Sequence, residues 1–176
     1  HPSYAVSLGN LSGCYWDIGE YFQAIELAFS ALDIYKVTLG DNNPTYALLL
    51  DNLATYCSGI GLLSKAIELN ELALGIYKGA RGDNHPDYAR ILNNLAVCYN
   101  KLGDYAQAIE LHKQALKIIQ VTLGENHLDY ANSLNNLASC YENIGDYTTA
   151  IELNKQTLEI MKIALGENHP KYASDL

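Results

Sequence analysis

"HPDYARILNNLAVCYNKLGDYAQAIELHKQALKIIQVTLGEN", residues 85–126, runs directly into "HLDYANSLNNLASCYENIGDYTTAIELNKQTLEIMKIALGEN", residues 127–168. The two lines align without a gap. Residues 1–42 and 43–84 fit the same frame, so four units of 42 residues fill the chain, and residues 169–176, HPKYASDL, begin a fifth. A period of about 20–50 residues predicts stacked supersecondary units, each burying its apolar faces against its neighbours.

Within residues 85–126 the first half places Tyr88, Ala89, Leu92, Leu95, Ala96, Tyr99 and Leu102 in steps of one, three and four, the stripe of an amphipathic helix A. Pro86 suits the first helical position, which makes His85 the expected N-cap. In the second unit Asn43, a strong N-cap residue, occupies that slot. Gly103 stops helix A and Asp104 caps a helix B with buried positions at Tyr105, Ala108, Ile109, Leu111, Ala115, Leu116, Ile118 and Ile119, ending near Gly124. Ala96 and Ala108 are small enough to let the two helices approach closely. The predicted fold class is all-α, an α-solenoid of four helix-turn-helix units in one array over residues 1–176.

The second unit is the weakest by this reading. Leu62 replaces the acidic cap, Gly75 and Gly79 lie inside helix B, and Arg81 stands where Leu39, Leu123 and Leu165 stand elsewhere. Each interior glycine costs about 1 kcal/mol, so this helix should open early.

The net charge is −9 with eleven Lys and Arg, so no basic stripe is available for a nucleic acid or an anionic membrane surface. No apolar run approaches the roughly 18 residues of a membrane helix, so neither a membrane span nor a signal peptide is expected in these residues. Three of the four cysteines, Cys14, Cys98 and Cys140, share one repeat position, Cys57 sits one residue later, and no CxxC pair occurs. Small buried thiols in a reducing, cytoplasmic compartment are expected. The chain lacks an initiator methionine and starts and stops on the repeat boundary, which predicts a segment of a longer array.

These residues resemble a tetratricopeptide repeat: Leu92, Leu95, Ala96, Tyr99, Gly103, Tyr105, Ala108 and Ala115 fall at that family's helix-packing spacings. The frame HPxYAxxLNNLAxxYxxxGxYxxAIELxxxALxIxxxxLGxxHP, with its 42-residue length, is similar to the repeats of kinesin light chains and related proteins over the whole chain. The resemblance implies a right-handed superhelix and a non-catalytic scaffold that binds a peptide or partner segment in a concave groove. Departures from the pattern are Ser12 and Thr157 for alanines and Cys57 for a tyrosine.

No phosphate loop, serine triad or zinc spacing is present, so neither a catalytic residue, a metal site nor a cofactor is expected. His1, His85, His127 and His169 share the start of helix A and read as N-caps, because neighbouring units lie roughly 10 Å apart and a zinc ligand needs about 2 Å. His112 stands alone on helix B and is expected to be exposed. Glu26, Glu68, Glu110 and Glu152 recur in AIEL and read as solvated acids.

The helix A stripe that faces neither the partner helix nor the next unit is, in the third unit, Arg90, Asn93, Asn94, Val97, Asn100 and Lys101, and the resemblance implies that this stripe lines the concave groove. Asn10, Asn52, Asn94 and Asn136 hold one place in it, although asparagine is a mediocre helix former. Each amide offers the donors and acceptor that a peptide backbone requires, and each could instead bridge adjacent helices. Asp51, Asn93 and Asn135 flank this ladder. Trp16 belongs either to the groove or to a half-buried seat against helix B. Basic groove residues of the kind that take acidic tryptophan-containing peptides are largely missing.

The function expected is thus a peptide-binding scaffold. The alternatives are an architectural or self-assembling spacer, with end-to-end association through Tyr4, Leu8 and Leu11 at one end and Ile160 and Met161 at the other, or the sensor arm of a larger signalling ATPase.

Overall fold

The computed structural model describes residues 1–165, and the expected start of a fifth unit, with His169, lies outside the described residues. Among the described residues there are eight α-helices: α1 (Pro2–Asp17), α2 (Tyr21–Leu39), α3 (Pro44–Gly59), α4 (Leu63–Arg81), α5 (Pro86–Leu102), α6 (Tyr105–Thr122), α7 (Leu128–Asn143) and α8 (Tyr147–Leu165). They form two compact units, His1–Asp83 and Asn84–Leu176, each holding two hairpins. In the first, α1 packs on α2, α2 on α3 and α3 on α4; in the second, α5 packs on α6, α6 on α7 and α7 on α8, with α5 also touching α7.

The expected helix starts are observed. The Nδ1 of His1, His85 and His127 accepts from the backbone N–H two residues on, at 3.3, 3.1 and 3.1 Å, and Asn43 Oδ1 accepts from the Thr45 N–H at 2.9 Å. Each bond satisfies one of the donors that a helix N-terminus leaves open. On the second helices Asp104 and Asp146 cap through Oδ1, at 3.2 Å to the Gln107 N–H and 3.1 Å to the Thr149 N–H. Leu62 makes no such bond, and neither does Glu20. Gly103, at φ 90° and ψ 4°, takes the left-handed turn that ends α5.

Small residues line the seam within each hairpin. Ala96 and Ala108 are fully buried, as are Ala54 and Ala66. Where the repeat pattern is broken the hydroxyls find acceptors: buried Ser12 Oγ donates to the Ala24 carbonyl at 2.7 Å, and buried Thr157 Oγ1 lies 3.1 Å from the Leu153 carbonyl. The apolar core of the second unit gathers Leu116 of α6, Ala131, Leu134 and Leu137 of α7, and Ile160 and Met161 of α8.

Two expectations are corrected. Cys57, Cys98 and Cys140 are buried thiols outside any disulfide, but Cys14 is exposed. α6 covers α7, which carries Cys140, whereas no described helix covers that face of α1. Ile160 and Met161 are buried, at 8% and 3% exposure, so they offer no free surface. They point into the hairpin core, and the exposed apolar residues of α8 are Tyr147, Ile151 and Ile163.

Candidate functional site

Four of the expected groove residues of the third and fourth repeats, Arg90, Asn93, Asn94 and Asn136, line one cleft in the second unit. An open cleft of about 270 Å³ lies on α5 and α7, lined by Pro86, Arg90, Asn93, Asn94, Asp129, Asn132 and Asn136, with Ile119 of α6 as its apolar element. The four amides arise from sequence in a simple way. Asn93 and Asn94 are half-buried and precede Leu95 and Ala96, both buried, so the helix holds the two amides at the edge of the core. Asn132 and Asn136 sit one turn apart on α7. One cation, Arg90, and one anion, Asp129, leave the cleft near neutral, which suits a ligand that offers amide groups rather than net charge.

Asn93 does more than line the cleft. Its Nδ2 donates to Ser133 Oγ at 2.6 Å, Ser133 Oγ donates to the Asp129 carbonyl at 2.8 Å, and its Oδ1 lies 2.8 Å from His112 Nδ1. The hydroxyl proton is committed to a carbonyl, so Ser133 must accept from Asn93, and the Asn93 oxygen must accept from His112. The chain of bonds therefore assigns the Nδ1–H tautomer to His112. His112 is fully buried, contrary to the expected exposure, and burial holds its imidazole down to about 4. Helix B turns this position inward: Asn70, its counterpart in the second repeat, is also fully buried.

The remaining candidates are dispersed. Asn100 is half-buried and accepts from Asn143 Nδ2 at 2.9 Å, an amide bridge from α5 to α7. Val97 is half-buried and Lys101 and Asn135 are exposed. In the first unit Asn10 and Asn52 are exposed, but Asp51 is fully buried, which removes its carboxylate from any surface a ligand could reach. Trp16 is half-buried. Its ring stacks on Tyr56 of α3 at 4.6 Å and tilts against Tyr21 of α2 at 4.7 Å, and it lies so close to Gly59 that a Cβ there would meet it at 2.4 Å. This is the half-buried seat, shared by α2 and α3. Glu26, Glu68, Glu110 and Glu152 are all exposed.

A larger cleft of about 560 Å³ lies elsewhere, between the α6–α7 loop and α8, lined by Glu125, Tyr130, Lys155, Glu159 and Ile163 among others. A cleft of about 210 Å³ with Asp41, Tyr46 and Ile76 occupies the same repeat register in the first unit. These clefts follow from the packing of a repeat loop beside helix B and mix acids, a base and apolar groups without a convergent polar set. Among the described residues no three His, Cys, Asp or Glu side chains are grouped to hold a metal ion.

The tetratricopeptide-repeat family matches residues 3–79, 65–120 and 87–163. No curated protein matches significantly. Among solved structures, BtubC (BKLC) from P. vanneervenii is similar over 97% of this chain and 68% of its own, with a TM-score of 0.82 at 24% identity. The nearly identical TPR-like repeats of a candidate kinesin light chain from P. anserina are similar over 99% of this chain and 83% of their own, with a TM-score of 0.82 at 28% identity. A singly substituted form of that protein gives a TM-score of 0.83 at 28% identity, over 99% of this chain and 82% of its own. Matches that span the chain, eight helices in hairpins and the 42-residue frame agree: the chain is an all-α solenoid of the tetratricopeptide-repeat family, with repeats of the kinesin-light-chain type.

Proposed function

We propose that this chain is a non-catalytic protein-interaction scaffold whose second unit holds a peptide or partner segment against α5 and α7, with Asn94 and Asn136 pairing to the ligand backbone. The observation that carries this reading is the near-neutral cleft in which Asn93, Asn94, Asn132 and Asn136 converge beside Arg90. A peptide backbone loses water when it docks, and amide side chains can replace both its donors and its acceptors. Arg90 and the half-buried Val97 would add side-chain selectivity, and Asn100, Lys101 and Asn135 lie on the same helices. Asn10 and Asn52 would play the equivalent part in the first unit. Buried thiols outside any disulfide suit a reducing, cytoplasmic setting, and the charge of −9 favours protein over nucleic acid.

The test is a peptide library selected on the wild-type chain, with the recovered peptides measured against Asn94→Ala/Asn136→Ala. Two lost hydrogen bonds at about 0.5–1.5 kcal/mol each should weaken binding roughly ten- to a hundredfold. The melting temperature should hold, because alanine is the better helix former. A destabilised double variant that binds its peptides at full strength would refute the reading and make the amides struts between helices.

A second reading, self-assembly through helix faces, is favoured by α1. Tyr4 and Leu11 are 60% and 46% exposed, whereas their counterparts Tyr46 and Leu53, which α3 carries beneath α2, are 9% and 0% exposed. Leu8 is buried within its own hairpin unit, so the available face is Tyr4, Leu11 and Cys14.

A further inference from the structure

We infer that His112 is a buried positioning residue for the α5–α7 cleft: its neutral Nδ1–H tautomer locks the Asn93 amide in one orientation, and protonation of the ring unseats that lock. Asn93 is a cleft residue held from two sides, by His112 of α6 and Ser133 of α7. With Oδ1 facing His112 and one Nδ2 proton on Ser133, the amide cannot flip without losing both bonds. The cleft therefore meets a fixed Nδ2 donor rather than an averaged amide. A pre-set donor spares a ligand part of the ordering cost of binding.

The opposite edge of the ring explains the sensitivity to acid. His112 Nε2 is buried and has no hydrogen-bond partner. In the neutral ring it is an acceptor, and its lack of a partner is tolerable. Protonation keeps the Nδ1–H bond but adds a charged Nε2–H donor with nothing to receive it, so the ring can carry the charge only by reaching water. The acids and bases on the two helices packed against α6 do not relieve this. Asp87 and Arg90 of α5 are partly exposed, Lys101 of α5 and Asp129 and Glu142 of α7 are exposed, and burial is the sole cause acting on the imidazole. The buried thiols on those helices, Cys98 of α5 and Cys140 of α7, supply no charge in acid.

The repeats supply a natural control. Asn70 and Asn154 occupy the His112 position in the second and fourth repeats, and an asparagine Nδ2 is bonded to Cγ as the histidine Nδ1 is, so His112→Asn keeps a donor in place while removing the titration.

The lock is tested without a ligand, and only its consequence for binding rests on the groove reading. Long-range nitrogen–proton spectra of the 176-residue chain, with side-chain amide exchange, are recorded between about pH 7.5 and 4.5 for wild type, His112→Asn and His112→Phe. The expected result is a His112 ring protonated at Nδ1 and bare at Nε2, with distinct, slowly exchanging Asn93 amide protons. At about pH 4.5 these protons should exchange about tenfold faster in wild type than in His112→Asn, a comparison at one pH that removes the intrinsic slowing of amide exchange common to both; in His112→Phe they should be lost at neutral pH. An Nε2–H tautomer, or equal acid sensitivity in wild type and His112→Asn, would overturn the inference, and neither outcome depends on His112→Phe folding. Failure of the peptide-binding experiment with intact Asn93 signals would sink the groove reading alone.

Discussion

An imidazole sealed from water sets a limit on the acidity its fold can bear. The unfolded chain takes up a proton at His112 near its ordinary value of 6.5, whereas burial in the folded chain delays protonation to about 4. Between these values the unfolded state binds more protons, so stability is full above about pH 6.5, falls as the pH drops, and levels off below about 4. The gap of about 2.5 at roughly 1.4 kcal/mol per pH unit makes the total loss about 3 kcal/mol. Denaturant titrations at about pH 7 and 4.5 should show most of this difference in wild type and little in His112→Asn, once the background common to both is removed. Equal losses in the two proteins would show that other groups set the acid limit. The sequence held a clue to this pair that a search for lone functional histidines passes over. Helix A position nine and helix B position twenty-eight of the repeat read Gly9 with Ala28, Asp51 with Asn70, Asn93 with His112, and Asn135 with Asn154. Polar residues stand together in three repeats and neither is polar in the other. Amphipathic patterning assigns polar residues to the surface by default, so it placed His112 and Asp51 in solvent, whereas paired polar groups can be buried when they satisfy each other.

Helices are where the sequence was most legible, because periodicity, Pro86, Gly103 and the caps at His85 and Asp104 agree on the same boundaries. Interior glycines were less so, since propensity alone treats them alike and packing separates them. Gly75 and Gly79 both lie within α4 with nothing inside 4 Å of a built Cβ, whereas Gly59 at the end of α3 would place its Cβ 2.4 Å from the Trp16 ring. Opposite outcomes are therefore expected from one kind of substitution. Gly75→Ala and Gly79→Ala should each stabilise the chain by about 0.5–1 kcal/mol through reduced backbone entropy. Gly59→Ala should destabilise it by about 1–3 kcal/mol, because the Trp16 ring would have to shift out of its contacts with Tyr21 and Tyr56. Thermal melts of the three variants decide this, and a stabilised Gly59→Ala would mean that the Trp16 seat is loose. Hydrogen exchange should also find residues 74–82 less protected than residues 116–124, for the same glycines together with the uncapped Leu62 start, and comparable protection would remove α4 as the weak element.

Over the whole molecule the charge of −9 and the uncovered face of α1 act against each other. Tyr4 and Leu11 are joined there by Ile18, 71% exposed, so three apolar side chains at seven-residue spacing run the length of the helix. On α3 the counterparts of Tyr4 and Leu11, Tyr46 and Leu53, are buried beneath α2, and that of Ile18, Ile60, is half-buried, which points to the kind of surface that fits the stripe: the apolar side of a helix B. On α8 the exposed apolar residues are Tyr147, Ile151 and Ile163, of which Tyr147 and Ile151 lie one turn apart on one face. Two copies meeting in this way would gain apolar burial at about 25 cal/mol per Å² but would bring two anionic bodies together. Salt separates the two terms, since at 0.1 M repulsion between exposed charges more than about 10 Å apart is largely screened while apolar burial is left intact. Sedimentation at increasing concentration should therefore show association that strengthens from low to moderate salt. Leu11→Lys should abolish it with little change in melting temperature, because a side chain 46% exposed already reaches water. Ile160→Ala is the contrasting variant: this residue is buried in the second core, so its loss should cost about 2–5 kcal/mol of stability and leave the association of the folded chain unchanged. A monomer at every salt concentration, or association that survives Leu11→Lys, would mean that the apolar stripe of α1 does not join copies of this chain.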